Sequence, residues 1–145
     1  LYSKLKKMQT EILNKTLQNR SINPTAMRLL VLDKLMNAEV ALSLADLEIE
    51  MDQADRVTIY RTLKTFEENK LIHSIEDGTG SIKYALCESS CKCTPEFTHA
   101  HFHCNNCNQT FCLRNIHVPE IKLPKNFEAE QSSFILKGVC DQCKS

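Results

Sequence analysis

DRVTIYRTLKTFEENKLIHSIEDGTGSIKYALC, residues 55–87, decides the architecture of the N-terminal part of this chain. In its first half Ile59, Leu63 and Phe66 recur at helical spacing and form a buried stripe. Arg56, Thr58, Tyr60, Arg61 and Lys64 then lie mainly outside, on a helix from about Asp55 through Glu68. After it, LIHSIE and SIKYALC flank Asp77-Gly78-Thr79-Gly80. Two β-prone runs around a glycine-bearing turn make a hairpin.

Upstream, Leu5, Met8, Ile12, Leu13 and Leu17 predict a helix from about 3 to 19, which SINPT interrupts. Thr25 is a plausible N-cap for a second helix, whose apolar face runs Leu29, Leu30, Leu32, Leu35 and Met36. Ser43 with Asp46 resembles a capping box with a shorter acid, opening a third helix through Met51. Helices followed by a hairpin is the order of a winged helix-turn-helix. A helix enters the major groove if its exposed face offers donors to phosphates and base edges. Arg61 can pair bidentately with guanine, Tyr60 can touch a thymine methyl, and Thr58 can hold a phosphate. Arg56 and Lys64 lie a turn either side of Tyr60, and Arg28 can reach a backbone phosphate.

Bulk numbers agree with a soluble globular protein. The chain has 145 residues, 42% hydrophobic and 25% charged, which fits a globular protein rather than a disordered one. Formal net charge is zero, yet residues 1–31 carry Lys4, Lys6, Lys7, Lys15, Arg20 and Arg28 against Glu11 alone. Acid collects from Glu39 to Asp55, so neutrality can hide a basic face. No apolar run approaches the ~18 residues of a membrane span, and no signal-peptide core opens the chain. The expectation is a cytoplasmic protein with no membrane partner.

Cysteine placement divides the chain. All eight cysteines and four of the five histidines lie in residues 87–145, giving domains 1–86 and 87–145. Cys104-Asn-Asn-Cys107 and Cys140-Asp-Gln-Cys143 are two knuckles that together complete an all-sulfur tetrahedral zinc site with no open position. Such a site is structural. Disulfides and redox CxxC pairs are the competing readings; the first wants an oxidising compartment, the second a βαβ pattern that is missing here.

His99-Ala-His101-Phe-His103 alternates strictly, so on a strand its imidazoles share one side. Two of them can chelate one ion. Further ligands must come from His73, Cys87, Cys91, Cys93, Cys112 or His117, while His103 abuts Cys104 and is either a ligand or a neighbour. A mixed His/Cys set prefers zinc over ferrous iron, manganese or magnesium. A site drawing on both wing and C-terminal part would fix the angle between them, metal selecting the DNA-competent conformer from a mobile apo ensemble.

VTIYRTL, KYALC, HAHFHCNNC and GVCDQC, in this order, resemble the ferric uptake regulator superfamily over nearly the whole chain. The resemblance implies an α+β protein with an N-terminal winged helix-turn-helix and a small C-terminal α/β metal-binding dimerisation domain. It implies a dimeric bacterial repressor of metal-uptake genes that binds AT-rich palindromic double-stranded DNA when metal-loaded. LIH before the wing turn and the Cys of KYALC look like the zinc uptake regulator branch, where the regulatory ligands carry over to His73, Cys87, His99 and His101. Iron and peroxide sensors usually place a His before the third helix, where this chain has Ala41. Thr98, Ala100 and Ser132 stand where the family's third site has ligands, so that site is expected to be missing. The stretch Glu88 to Thr98 is longer than usual, and its Cys91 and Cys93 could replace Cys87, join it, form an extra site or oxidise. An iron- or peroxide-sensing member is the alternative. A zinc or thiol enzyme is a remote one, since no HExxH or HxE pattern supplies a base beside an open metal position.

Overall fold

The computed structural model describes residues 1–87, 99–130 and 132–144. Four helices come first, α1 (Tyr2–Gln18), α2 (Ala26–Asn37), α3 (Leu44–Glu50) and α4 (Arg56–Glu68), with a two-residue strand β1 (Leu42–Ser43) before α3. Short polar side chains close three of the N-termini. Thr25 accepts from the Arg28 amide, Asp55 accepts from the Thr58 amide, and Ser43 forms a reciprocal capping box with Asp46. Each satisfies amides that a first helical turn leaves without partners.

Ile59, Leu63 and Phe66 of α4 are fully buried, as their spacing predicts. They pack with Leu17 of α1, Val31 and Leu32 of α2, and Leu47 of α3 in a single core. Two expected stripes are covered only in part. On α1, Leu13 and Leu17 are buried but Leu5, Met8 and Ile12 stay 51–58% exposed, because the core lies under the last turns of that helix. On α2, Val31 joins Leu32 and Leu35 on the inward arc, and Leu30 and Met36 face out.

The hairpin follows as β2 (Ile72–Ile75) and β3 (Lys83–Leu86), with β1 on the far side of β3. Gly78 and Gly80 take φ of 84° and 81° in the turn, left-handed values that glycine adopts without strain. A second sheet is built from β4 (His99–Cys104), β5 (Thr110–His117) and β6 (Ile135–Gly138), in the order β5-β4-β6. β4 and β5 form an antiparallel hairpin, β6 runs parallel to β4, and a single turn of helix, α5 (Asp141–Lys144), follows. The two sheets are tied directly: the Ala41 amide donates to the Thr110 carbonyl at 2.8 Å, and Arg114 Nη2 donates to the Leu86 carbonyl at 3.2 Å. Mixed helix and sheet in this order is the α+β winged architecture expected from the sequence. No described helix is long and apolar enough to cross a membrane.

Candidate metal centres and nucleic-acid face

The first knuckle is the turn of the β4–β5 hairpin. Asn108, at φ 59°, donates its amide to the Cys104 carbonyl and folds Cys107 back toward Cys104. Parallel pairing of β6 with β4 then delivers the second knuckle: the Asn105 amide donates to the Gly138 carbonyl at 2.7 Å, and the Cys140 amide to Cys104 Sγ at 3.4 Å. All four sulfurs lie within 4.8 Å of one another, with Cys107 and Cys140 at 3.9 Å. A tetrahedron with ~2.3 Å metal–sulfur bonds has edges of about 3.8 Å, so the donor set fits zinc. The backbone amides of Cys107 and Cys140 hold the Cys104 thiol down to about 6. Hydrogen bonding to Cys140, then burial, pushes Cys143 up to about 12. A divalent cation held there would resolve that conflict by taking all four as thiolates. No disulfide joins the described cysteines.

The second cluster spans the two sheets. His73 comes from β2, His99 and His101 from β4, and Cys112 from β5, their ligand atoms all within 4.8 Å. His73 Nε2 lies 3.2 Å from His101 Nε2, and Cys112 Sγ lies 3.6 Å from His73 Nε2. Tetrahedral zinc with ~2.05 Å nitrogen and ~2.3 Å sulfur bonds has edges of about 3.3 Å and 3.5 Å respectively. Cys112 arrives because it is the cross-strand partner of His101, and His99, two residues before His101 on β4, shares its strand face. Burial, then the neighbouring His99, His101 and Arg114, lowers His73 to about 3. Burial and then His99 lower His101 to about 4. Both rings are therefore neutral near pH 7, the form that ligates metal. Burial pushes the Cys112 thiol up to about 11, against the pull of Arg114.

Three of the four expected regulatory ligands thus meet, and Cys112, which sequence reasoning left undecided, completes the group. Cys87 sits behind it, its Sγ 3.4 Å from Nδ1 of His73, the ring nitrogen turned away from the cluster. His103 joins neither cluster; its Nδ1 lies 2.9 Å from Thr110 Oγ1. His117, opposite His99 at the end of β5, is exposed. Cys91 and Cys93 lie outside the described residues.

On α4 the residues expected to face nucleic acid form one exposed surface. Arg56, Thr58, Tyr60, Arg61 and Lys64 are all solvent-accessible, Tyr60 at 44%. Arg56 pairs with Glu48 of α3, Lys64 pairs with Glu67 at 3.5 Å and lies 5.5 Å from the Tyr60 ring centre, and Thr58 holds Asp55. Arg28 is half-buried and donates to the Asn23 carbonyl at 2.8 Å, which holds it against the α1–α2 loop.

Comparison with known proteins gives a consistent answer. The ferric uptake regulation protein of Campylobacter jejuni subsp. jejuni serotype O:2 is 26% identical, covering 93% of this chain and 88% of that protein. Holo XcZur is 16% identical and superimposes with a TM-score of 0.65 over 93% of this chain and 96% of that one. A zinc uptake regulator complexed with zinc and DNA is 22% identical, with a TM-score of 0.64 over 94% of this chain and 95% of that one. The model of the ferric uptake regulator family matches residues 19–141. With two converged Cys/His clusters, a winged fold and that match, the chain belongs to the ferric uptake regulator family and is a metal-responsive transcription regulator.

Proposed function

We propose that this regulator senses zinc and represses metal-acquisition genes. The observation that carries the reading is the donor set of the second cluster: three imidazoles and a thiol whose ligand atoms lie within 4.8 Å of one another, with no carboxylate among them. Soft and borderline donors in four-coordinate geometry select zinc, whereas ferrous iron and manganese favour more oxygen and higher coordination. Cys104, Cys107, Cys140 and Cys143 hold a structural zinc. His73, His99, His101 and Cys112 take the regulatory ion, with Cys87 orienting His73 through its other ring nitrogen. Bound there, the metal supplies the charge that joins β2 of the wing to β4 and β5.

In this reading residues 1–86 are the DNA-binding domain and residues 87–145 the dimerisation domain. Arg61 and Tyr60 read base edges of a palindromic AT-rich operator, and Thr58, Arg56, Lys64 and Arg28 hold phosphates. A homodimer is supported by the apolar side chains displayed from the end of β5 to β6: Ile116, Ile121, Leu123, Phe127, Phe134 and Leu136 are each at least 39% exposed, apolar surface of the kind that partner subunits cover. The protein acts in the cytoplasm, where thiols stay reduced.

The test is operator binding by protein carrying only the four-sulfur zinc, titrated separately with buffered zinc, ferrous iron and manganese. Zinc should restore binding at far lower free concentration than either other ion. Activation by ferrous iron at zinc concentrations too low to load the His/Cys cluster would make this an iron sensor instead.

A further inference from the structure

Metal ligation is not the only tie between the wing and the second sheet. Asp77, 1% exposed, and Lys83, 8% exposed, form an ion pair at the wing turn. From β5 the wholly buried Thr110 donates its hydroxyl to Asp77 Oδ2 at 2.7 Å. From β4, His103 places Nδ1 2.9 Å from Thr110 Oγ1 and 3.4 Å from Asp77 Oδ2. Lys83 Nζ also donates to the Asn108 carbonyl at 3.4 Å, inside the hairpin turn that carries the first knuckle. Thr79 fills Asp77 Oδ1 through its amide and hydroxyl. Burial alone would push the Asp77 carboxyl up; hydrogen bonds from Lys83, Thr79 and Thr110 outweigh it and hold the group ionised.

A buried ion pair contributes little net stability, because desolvation offsets the attraction. Its effect is geometric. The Thr110 hydroxyl on Asp77 and the Asn108 carbonyl on Lys83 are kept only while β5 and its turn are docked on the wing, so undocking gives up both contacts of the ion pair across the sheets. The cluster also runs beside the metal ligands. On β4, His103 follows His101 by two residues, and on β5, Thr110 precedes Cys112 by two, so latch and ligand share a strand face. On the wing, Lys83 pairs with Ile75, two residues along β2 from His73.

We propose that Asp77, Lys83 and Thr110 are positioning residues for the second metal centre. They latch the wing to β4 and β5 without metal, so His73 is already held against His101 and Cys112 when the ion arrives. This rests on the assignment of that cluster as a metal centre. The consequence is affinity: a site populated in its competent geometry binds more tightly than one the ion must assemble.

The experiment uses the full chain with the four-sulfur site filled by zinc, and cobalt(II) as the probe of the second centre. Wild type should take up cobalt with a thiolate charge-transfer band that Cys112→Ser removes. Thr110→Val, which keeps the shape and loses the hydroxyl, should bind cobalt at least about tenfold more weakly, while Thr110→Ser stays within about twofold of wild type. Zinc retention at the four-sulfur site should be the same in all of them. If Thr110→Val does not fold, the double variant Asp77→Leu/Lys83→Met, which leaves no stranded charge, takes its place and should weaken cobalt binding equally. Unchanged cobalt affinity in the folded variant overturns the latch. A wild type that takes up cobalt with no thiolate band at all overturns the metal centre itself, and the latch with it.

Discussion

Two sulfurs flank the His73 ring, Cys112 on Nε2 and Cys87 on Nδ1, and proton counting separates their roles. Near pH 7 the imidazoles of His73 and His101, lowered to about 3 and 4, carry no proton to lose, whereas Cys112, raised to about 11, does. Metal uptake should therefore release about one proton from the thiol, and affinity should fall about tenfold per unit as pH drops from roughly 8 to 7. Cys112→Ser should abolish that release, measured by calorimetry in buffers of different ionisation enthalpy. If the release survives Cys112→Ser and disappears in Cys87→Ser, Cys87 is the ligand. The same shifts act on the metal-free fold: below about pH 6.5 the unfolded chain takes up protons that the buried rings refuse. Stability should decline as pH falls toward 4 and 3. The histidine row and the paired knuckles were legible from spacing alone, because alternation and CxxC are local patterns. Cys112 was not, although the register held the answer. His103 faces Thr110 across the knuckle, which sets Cys112 opposite His101. Seeing it required reading Cys104–Cys107 as a hairpin turn as well as a zinc knuckle.

Among the elements, α4 was the most legible, because its apolar stripe and its Asp55 cap agree. α1 was the least. Its apolar repeat is real, but a periodic face says nothing of how far the core extends beneath it, and Leu5, Met8 and Ile12 lie beyond it. On the proposed DNA face the ion pairs rank the residues of α4. Arg56 must release Glu48 to reach a phosphate, whereas Arg61 extends from an exposed position next to Tyr60. Arg61→Ala should cost roughly 1–3 kcal/mol of specific operator binding and leave zinc content unchanged. Arg56→Ala should cost less, since a surface ion pair of ~0–1 kcal/mol competes with its contact. An unaltered footprint with Arg61→Ala would remove α4 from the recognition role. The capping box is a separate matter of stability. Ser43→Ala should lower unfolding free energy by about 1 kcal/mol, read by denaturant titration, with metal content unaltered.

The two sheets are held together by different physics. Among the described residues, every member of the apolar core lies at or before Leu86, the buried ones running from Leu13 to Tyr84. In the described part of the second sheet and its flanks, the buried apolar side chains are Ala100, Cys104 and Cys140. Three small side chains cannot offset the conformational entropy of ordering three strands. In the proposed reading the four-sulfur site would supply much of the difference: a zinc held there would close the β4–β5 turn onto β6 and α5, and metal affinity at such sites is folding free energy. Cys140→Ser should then lose one zinc per chain and, with it, the protection of β4–β6 amides against hydrogen exchange. The helical signal of α1 to α4 should persist and melt cooperatively, because its core borrows nothing from the knuckles. Loss of the second sheet should also cost the dimer, visible by sedimentation, since the exposed apolar side chains between Ile116 and Leu136 would no longer be held in place. A folded Cys140→Ser protein with its full zinc count would show that apolar packing, not sulfur ligation, holds the C-terminal part together.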